Sequence, residues 1–490
     1  MLSACRLAVS AATGRGCALA RPTTSSWQTA RLSSPIRQLS GTARQDDVKA
    51  PALLTEHAVP EAEGEAVNRI DALLRLTDRL SRQSTNAVLP LNLRAQGLYE
   101  KDRPAAQPSE EEAHNLPPLP QTRRMGDSFV QMDLLFSQDV NLREQYVGGI
   151  SKVRTGRLME DFDALAGAAA YRYVLPDGVS ISDAHKYGFY LVTAAVDRMD
   201  LLRPLQNADG SIPDLRLSGH VSYTTSSSLE VFLRMATIPS SPSEESSTIL
   251  IGRFAMACRS ASGGKHRVPE LLVDGPEEQA MWSMGRDMRE GKRKRSSASL
   301  NKTPPTAEEA AMLHELFLQK PEIYDRKAPA PQGIIFMSDT RIRSANLMHP
   351  AERNVHNKIF GGFLMRLAYE TAYSTACLFS RSPVTFVSLD ELQFAQPVEI
   401  GSLLLLDSKV TFSPMQGEHH SFHVSVEAAT CDLYTGEKKI TNTFHYTFSS
   451  ERPLSRHVVP RTYRQAMQWL DAQRRRRIGI EVRKAYTSAL

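Results

Sequence analysis

The run Arg353-Asn-Val-His-Asn-Lys-Ile-Phe-Gly-Gly362 holds the densest chemical signal in this 490-residue chain. A Gly-Gly pair opening an apolar helix leaves backbone N–H groups without intrahelical acceptors, at the positive end of the helix dipole. Such donors can stabilise the oxyanion that forms on an attacked carbonyl, and losing one typically costs roughly 10²–10³-fold in rate. The bare pair on its own favours a tight turn in which glycine serves only packing. A carboxylate is the natural partner for such amides, since it can activate water or attack the carbonyl directly. Glu160, Asp161 and Asp163 follow Gly156 on a second helical stretch. Acids near a helix N-terminus stabilise the dipole without doing chemistry, which accounts for Glu160 and Asp161. Asp163 lies about two turns in, where the stretch turns small and apolar, and is the candidate catalytic acid. His356 is a candidate base in the loop, although loop histidines are more often structural. Cys377 sits in an apolar run with no base beside it, which argues against a nucleophile there.

These groups need elements to hold them, and the chain repeats its plan twice. Asp197-Arg-Met-Asp-Leu-Leu-Arg-Pro204 and Asp390-Glu-Leu-Gln-Phe-Ala-Gln-Pro397 share an Asp and a Pro at the same spacing. Upstream of each lies a glycine and an apolar helical stretch, Gly156–Tyr171 and Gly362–Phe379. Downstream come period-two strands, with Leu229, Val231 and Leu233 in the first half. Phe422, Val424, Val426 and Ala428 alternate likewise in the second, which is the signature of half-buried antiparallel strands. Ala368, Ala372 and Ala376, and the small run Ala164–Ala170, give each helix a surface that a curved sheet can wrap closely. The expected fold class is α+β, with two such units joined sheet edge to sheet edge.

Charge separates a leader from a body. The chain carries 59 bases and 54 acids; residues 1–50 hold seven bases and two acids, leaving 52 of each in residues 51–490. A neutral body argues against a nucleic-acid partner, which needs a basic face. Residues 1–44 contain no acid, are rich in Arg, Ser, Thr and Ala, and lack a continuous apolar core. That composition is a mitochondrial transit peptide rather than a secretory signal, with cleavage expected near Arg37 to Arg44. No apolar run approaches the roughly 18–20 residues of a membrane span. Cys258, Cys377 and Cys431 remain beyond the leader, widely spaced, and indicate neither a disulfide framework nor a zinc site. No metal or cofactor is expected. Residues 45–125 read as a partly disordered extension with one helix near Ile70–Leu80, and residues 266–330 as a linker. The basic runs at Lys292–Arg295 and Arg474–Arg477 read as solvated charge. A C-terminal helical tail is expected over 453–490.

The combination of Phe-Gly-Gly after an Asn-containing loop, LDELQFAQPVEIGSLLLLDSKVTF, and GRLMEDFDALAG resembles the hotdog acyl-coenzyme A thioesterases. NVHNKIFGGFLMRLAYE is similar to the mitochondrial tandem-hotdog branch, the acyl-coenzyme A thioesterase nine type. The resemblance spans about residues 125–452. It implies hotdog domains at 126–265 and 331–452, each an antiparallel sheet wrapped around a central helix. It further implies an acyl-CoA substrate, matrix localisation, and assembly into a homo-oligomer, a trimer in this branch. By the same resemblance Asn354 matches a loop Asn that positions water or the thioester, while Glu352 stands where other members carry Asp. Asp163 fills the place of the helix acid. In the second half that register holds Tyr369, with Glu370 one residue on and about 100° around the helix. The first half has Thr155 where the second has Gly361. One working site at the domain interface is therefore expected, built from Asp163, Asn354, Gly361 and Gly362, with Glu352, His356 and Glu370 as lesser candidates and the second site degenerate. Two other readings remain open on the sequence: a hotdog hydratase or dehydratase, and a non-catalytic acyl-CoA-binding protein.

Overall fold

The structure, a computed structural model, describes residues 63–83, 89, 115–148, 152–207, 209–239, 241, 245–318, 324, 331–354, 358–415 and 419–489. The leader and His356 lie outside the described residues. The first half runs β1 (Thr122–Arg124), β2 (Val130–Leu134), α2 (Val140–Tyr146) and the central helix α3 (Thr155–Val174). It continues with β3 (Phe189–Leu201), β4 (Leu215–Thr224), β5 (Ser228–Thr237), β6 (Thr248–Ser260) and β7 (Glu270–Leu272). Helices α4 (Gly275–Ser297) and α5 (Ala307–Leu318) follow, within the stretch read from sequence as a linker. The second half is β8 (Ile334–Phe336), β9 (Ile342–Leu347), the central helix α6 (Gly361–Ser380), β10 (Val384–Gln393), β11 (Leu403–Phe412), β12 (Ser421–Cys431), β13 (Lys438–Ser450) and β14 (His457–Val459). Helix α1 (Glu63–Gln83) precedes β1 and α7 (Tyr463–Ala489) ends the chain.

One sheet carries the order β2-β4-β5-β6-β3-β10-β13-β12-β11-β9, five strands from each half. The halves meet where β3 and β10 pair antiparallel, Ser388 opposite Asp200 through Gln393 opposite Ala195. The two Asp-to-Pro segments of the repeat are thus brought side by side, and neither half presents that edge to water. Each half wraps its sheet around its central helix, the α+β hotdog architecture twice over. The small residues permit this: Ala166, Ala169 and Ala170 on α3, and Ala368, Ala372 and Ala376 on α6, are fully buried. Buried side chains from both halves form one continuous core. Helix α1 joins it through Leu73 and Leu76, tied to α4 by Arg69–Asp287 at 3.2 Å and Arg79–Glu277 at 3.0 Å. None of the described helices is long and apolar enough to cross a membrane.

Burial also sets a pH response. His220 and His423 are fully buried, and burial, with Arg253 near the first and Arg475 near the second, lowers each to about 3. His445, stacked on His423 at 5.7 Å, is held well below its ordinary value by the same causes. The unfolded chain, with histidines near 6.5, binds more protons than the folded one in between. Stability is therefore fully present above about pH 6.5 and falls as pH drops toward 3, by about 1.4 kcal/mol per pH unit for each histidine. Melting temperature is expected to drop between pH 7.5 and pH 5, and less steeply in His220→Phe; a flat profile over that range would refute the assignment.

Candidate active site

The two central helices cross antiparallel with their N-terminal turns overlapping. A Cβ on Gly156 would stand 3.2 Å from the Arg366 side chain and 3.1 Å from the Tyr369 ring. One on Gly362 would stand 3.0 Å from the Glu160 backbone, too close for any side chain unless the helices part. Gly362 therefore serves the close packing that its spacing left open. Gly361 faces something different, because its Cβ position lies 3.1 Å from Asp163 Oδ2 and 3.2 Å from the Phe394 ring. A carboxylate from the first half is thus set against the first turn of a helix from the second.

Phe360 is the residue before that first turn, and no side chain caps it. The opening N–H groups of α6, like those of any helix, have no intrahelical acceptor, the cap residue's side chain supplies none, and the helix dipole favours negative charge there. Asp163 is 2% exposed, and Thr193 Oγ1 donates to its Oδ1 at 2.7 Å. That hydrogen bond orients the carboxylate and leaves Oδ2 on the Gly361 side. Thr193 is not among the residues singled out from the sequence. A signal existed: period two from Phe189 and Leu191 puts position 193 in the helix-facing row, where a threonine is out of character. A register shift between Thr193 and Ala195 opposite β6 adjusts the strand here, and Ala194 O accepts from Phe394 N at 3.0 Å.

The other candidates have different surroundings. Asn354 N donates to Lys358 O at 2.7 Å and Asn354 Oδ1 accepts from Lys358 N at 3.2 Å, closing the loop ahead of α6. Gly148 N donates to Lys152 O at 2.7 Å, so the first half builds the same loop with glycine at the Asn354 position. Glu352 is half-buried, and its carbonyl accepts from Phe360 N at 3.0 Å. Glu370 is largely exposed and meets Arg154 at 3.5 Å, not the Asp163–Gly361 contact. Glu160, read from sequence as a dipole-stabilising acid, is instead buried between Arg157 at 3.5 Å and Arg366 at 3.3 Å, an ion pair across the halves. Asp161 accepts from the Tyr146 hydroxyl at 2.7 Å, and burial, then Asp161, pushes that phenol up.

At the pseudo-symmetric position Tyr369 replaces Asp163 and Thr155 replaces Gly361. Tyr369 is buried, hydrogen-bonded to the Thr155 side chain, and packed against Tyr373, Phe386, Tyr446 and Phe448 with ring centroids 5.8–6.1 Å away. An aromatic cluster thus occupies in the second half the place that the Asp163 carboxylate takes in the first. Among the described residues no three of His, Cys, Asp and Glu gather in a way that could hold a metal ion.

No family model matches the chain. The human mitochondrial acyl-coenzyme A thioesterase 9 is 36% identical over 364 residues, 73% of this chain and 78% of that protein. The mouse mitochondrial acyl-coenzyme A thioesterase 10 is 34% identical over 363 residues, with the same shares. Among solved structures, an acyl-CoA hydrolase from Bacillus cereus is 25% identical, covers 32% of this chain and 98% of that one, and has a TM-score of 0.29. With its paired central helices, its joined sheet and this identity over most of both chains, the protein belongs to the mitochondrial acyl-coenzyme A thioesterase 9 and 10 family.

Proposed function

We propose that this chain hydrolyses acyl-CoA thioesters to a free acid and coenzyme A, at a single site where the two halves meet. The observation that carries the reading is the approach of Asp163 to Gly361. The thioester carbonyl oxygen accepts from the opening amides of α6, those of Gly361 and Gly362, which lie where negative charge develops. Asp163, oriented by Thr193, takes a proton from water as its oxygen bonds to the carbonyl carbon. Collapse breaks the C–S bond, and the proton passes from Asp163 to the departing thiolate. Direct attack by Asp163 would break the C–S bond, expel the coenzyme A thiolate and give a mixed anhydride, which water then cleaves to the free acid and the regenerated carboxylate. Asn354 holds the loop before the amides and positions the thioester or water; Glu352, Glu370 and His356 are secondary candidates.

The test is release of free thiol from short- to long-chain acyl-CoAs by the chain without its leader. Thiol release is expected; none with any chain length would sink the proposal. Thr193→Val removes the hydrogen bond that orients the carboxylate, worth about 1.5–3 kcal/mol, so kcat is expected to fall about 10–100-fold, with some loss of melting temperature because a buried carboxylate oxygen loses its donor. An unchanged kcat would remove Thr193 from the site.

The protein is mitochondrial, like its relatives, and we place it in the matrix because the acid-free, arginine-rich leader suits import. Protease protection in mitochondria stripped of their outer membrane tests the compartment. Assembly into a homo-oligomer, a trimer by family resemblance, is tested by light scattering on the mature chain; a mass of one chain refutes it.

A further inference from the structure

Asn442 is out of character with its row. On β13 it shares the face of Phe444, Tyr446 and Phe448. That face is turned toward α6, since the Tyr446 hydroxyl donates to Met365 O at 3.3 Å. The three aromatic side chains are fully buried, and Asn442 is 3% exposed. An amide taken out of water costs free energy unless its donors and its acceptor find partners. Asn442 Nδ2 has one, donating to Gln393 O at 3.2 Å, but Oδ1 meets no partner among the described residues. Packing alone would be served better by an apolar side chain of similar size.

The bond that Asn442 makes falls at a break in the sheet. β10 keeps its register on β3 as far as Gln393 opposite Ala195, whereas its ladder with β13 ends at Asp390 opposite His445. The next residue, Glu391, has a φ of 30°, in the left-handed region that a non-glycine residue enters only at a cost. Beyond it the Asn442 side chain stands in for the ladder. The peptide unit joining Gln393 to Phe394 is thereby gripped from both sides. Its carbonyl accepts from Asn442 Nδ2, and its N–H donates to Ala194 O at 3.0 Å.

This peptide carries the Phe394 ring to the catalytic contact. A Cβ on Gly361 would stand 3.2 Å from Phe394 Cζ and 3.1 Å from Asp163 Oδ2, so ring and carboxylate flank the same glycine. Asp163 is buried and Phe394 only half-buried, which makes the ring the more open wall of the contact.

Resting on the hydrolase reading above, we infer that Asn442 is a positioning residue for the reaction, holding the Gln393–Phe394 peptide so that the Phe394 ring bears on Gly361 and Asp163. The ring limits how the opening turn of α6 and the carboxylate stand relative to each other. A thioester is attacked well only where both meet its carbonyl in the right geometry. Asn442 acts through Phe394 and not on the substrate.

The experiment is a double-mutant cycle in the mature chain, with Asn442→Leu, Phe394→Ala and the two combined, read as thiol release from acyl-CoA. Leucine keeps the bulk and removes the unpaired oxygen together with the donor, so melting temperature is expected to hold. kcat is expected to fall about 3–10-fold, the weight of one neutral hydrogen bond, with KM retained. In the Phe394→Ala background the same substitution is expected to change kcat by less than about twofold, because the group it acts through is gone. Hydrogen exchange at the Phe394 amide should quicken in Asn442→Leu, while that at Tyr446 stays the same. Asn442→Ala runs in parallel, so that the cycle can be read even if the leucine variant does not fold.

An unchanged kcat in Asn442→Leu, or unaltered exchange at Phe394, would overturn the inference. So would an undiminished further loss in the Phe394→Ala background, which marks a general structural role. Each of these results, beside an active unmodified chain, sinks this inference alone. No thiol release by the unmodified chain from any acyl-CoA would sink the hydrolase reading and this inference with it.

Discussion

Asp163→Asn is expected to lower kcat for acyl-CoA hydrolysis by about 10²–10⁴-fold, the range over which a positioned base contributes, while coenzyme A still binds. The substitution keeps size and shape, and Thr193 Oγ1 can go on donating to the remaining carbonyl oxygen, as it does to Oδ1 at 2.7 Å. What disappears is the basic oxygen on the Gly361 side. Gly361→Ala approaches the same site from the other helix, since its new methyl would press on Asp163 Oδ2 at 3.1 Å and on the Phe394 ring at 3.2 Å. Loss of kcat in both variants, with melting temperatures near that of the unmodified protein, is the expected result. Full turnover in Asp163→Asn would move the acid elsewhere, with Glu352 and Glu370 next to be replaced.

The largest expected effect on stability comes from Arg198, at the seam between the halves. Its guanidinium lies between Asp200 on its own strand, at 2.6 Å, and Asp390 on β10, and all three side chains are at most 10% exposed. Burial pushes the Asp200 carboxyl up, and Arg198 counteracts it. Arg198→Met would leave two carboxylates close together and buried without the guanidinium that contacts both. Removing one partner of a buried ion pair costs about 3–5 kcal/mol, so melting temperature is expected to fall by about 3–6 °C. Adding Asp200→Asn and Asp390→Asn to the same chain should restore most of the loss, because replacing a whole buried ion cluster is often neutral. A melting temperature unchanged by Arg198→Met would show that water reaches the seam.

Much of this architecture is local and so was readable in the chain. Small residues at Ala368, Ala372 and Ala376, alternation through Phe422, Val424 and Val426, and a repeated Asp-to-Pro segment specify helix, strand and duplication. Each is a statement about neighbours in sequence, where helical and strand periodicities act directly. The register difference between Asp163 and Tyr369, and between Gly361 and Thr155, likewise pointed to one site rather than two. Asn354, Gly361 and Gly362 could be nominated for the same reason.

Other features depended on contacts that no spacing encodes. Thr193 reaches Asp163 only because β3 lies across α3, and Glu160 becomes half of an inter-domain ion pair only because α6 brings Arg366 to it. The stretch between the halves holds helix α4, which packs on Tyr223 and turns a run of bases into one wall of a cleft. Gly479, unremarkable in the sequence, lies where a Cβ would stand 2.9 Å from Arg198, so its lack of a side chain leaves room for the guanidinium at the seam. Helix period, strand alternation and glycine placement follow from forces that act within a few residues, and the chain determines them alone. Which acid meets which amide follows from long-range packing, and only the tertiary structure decides it.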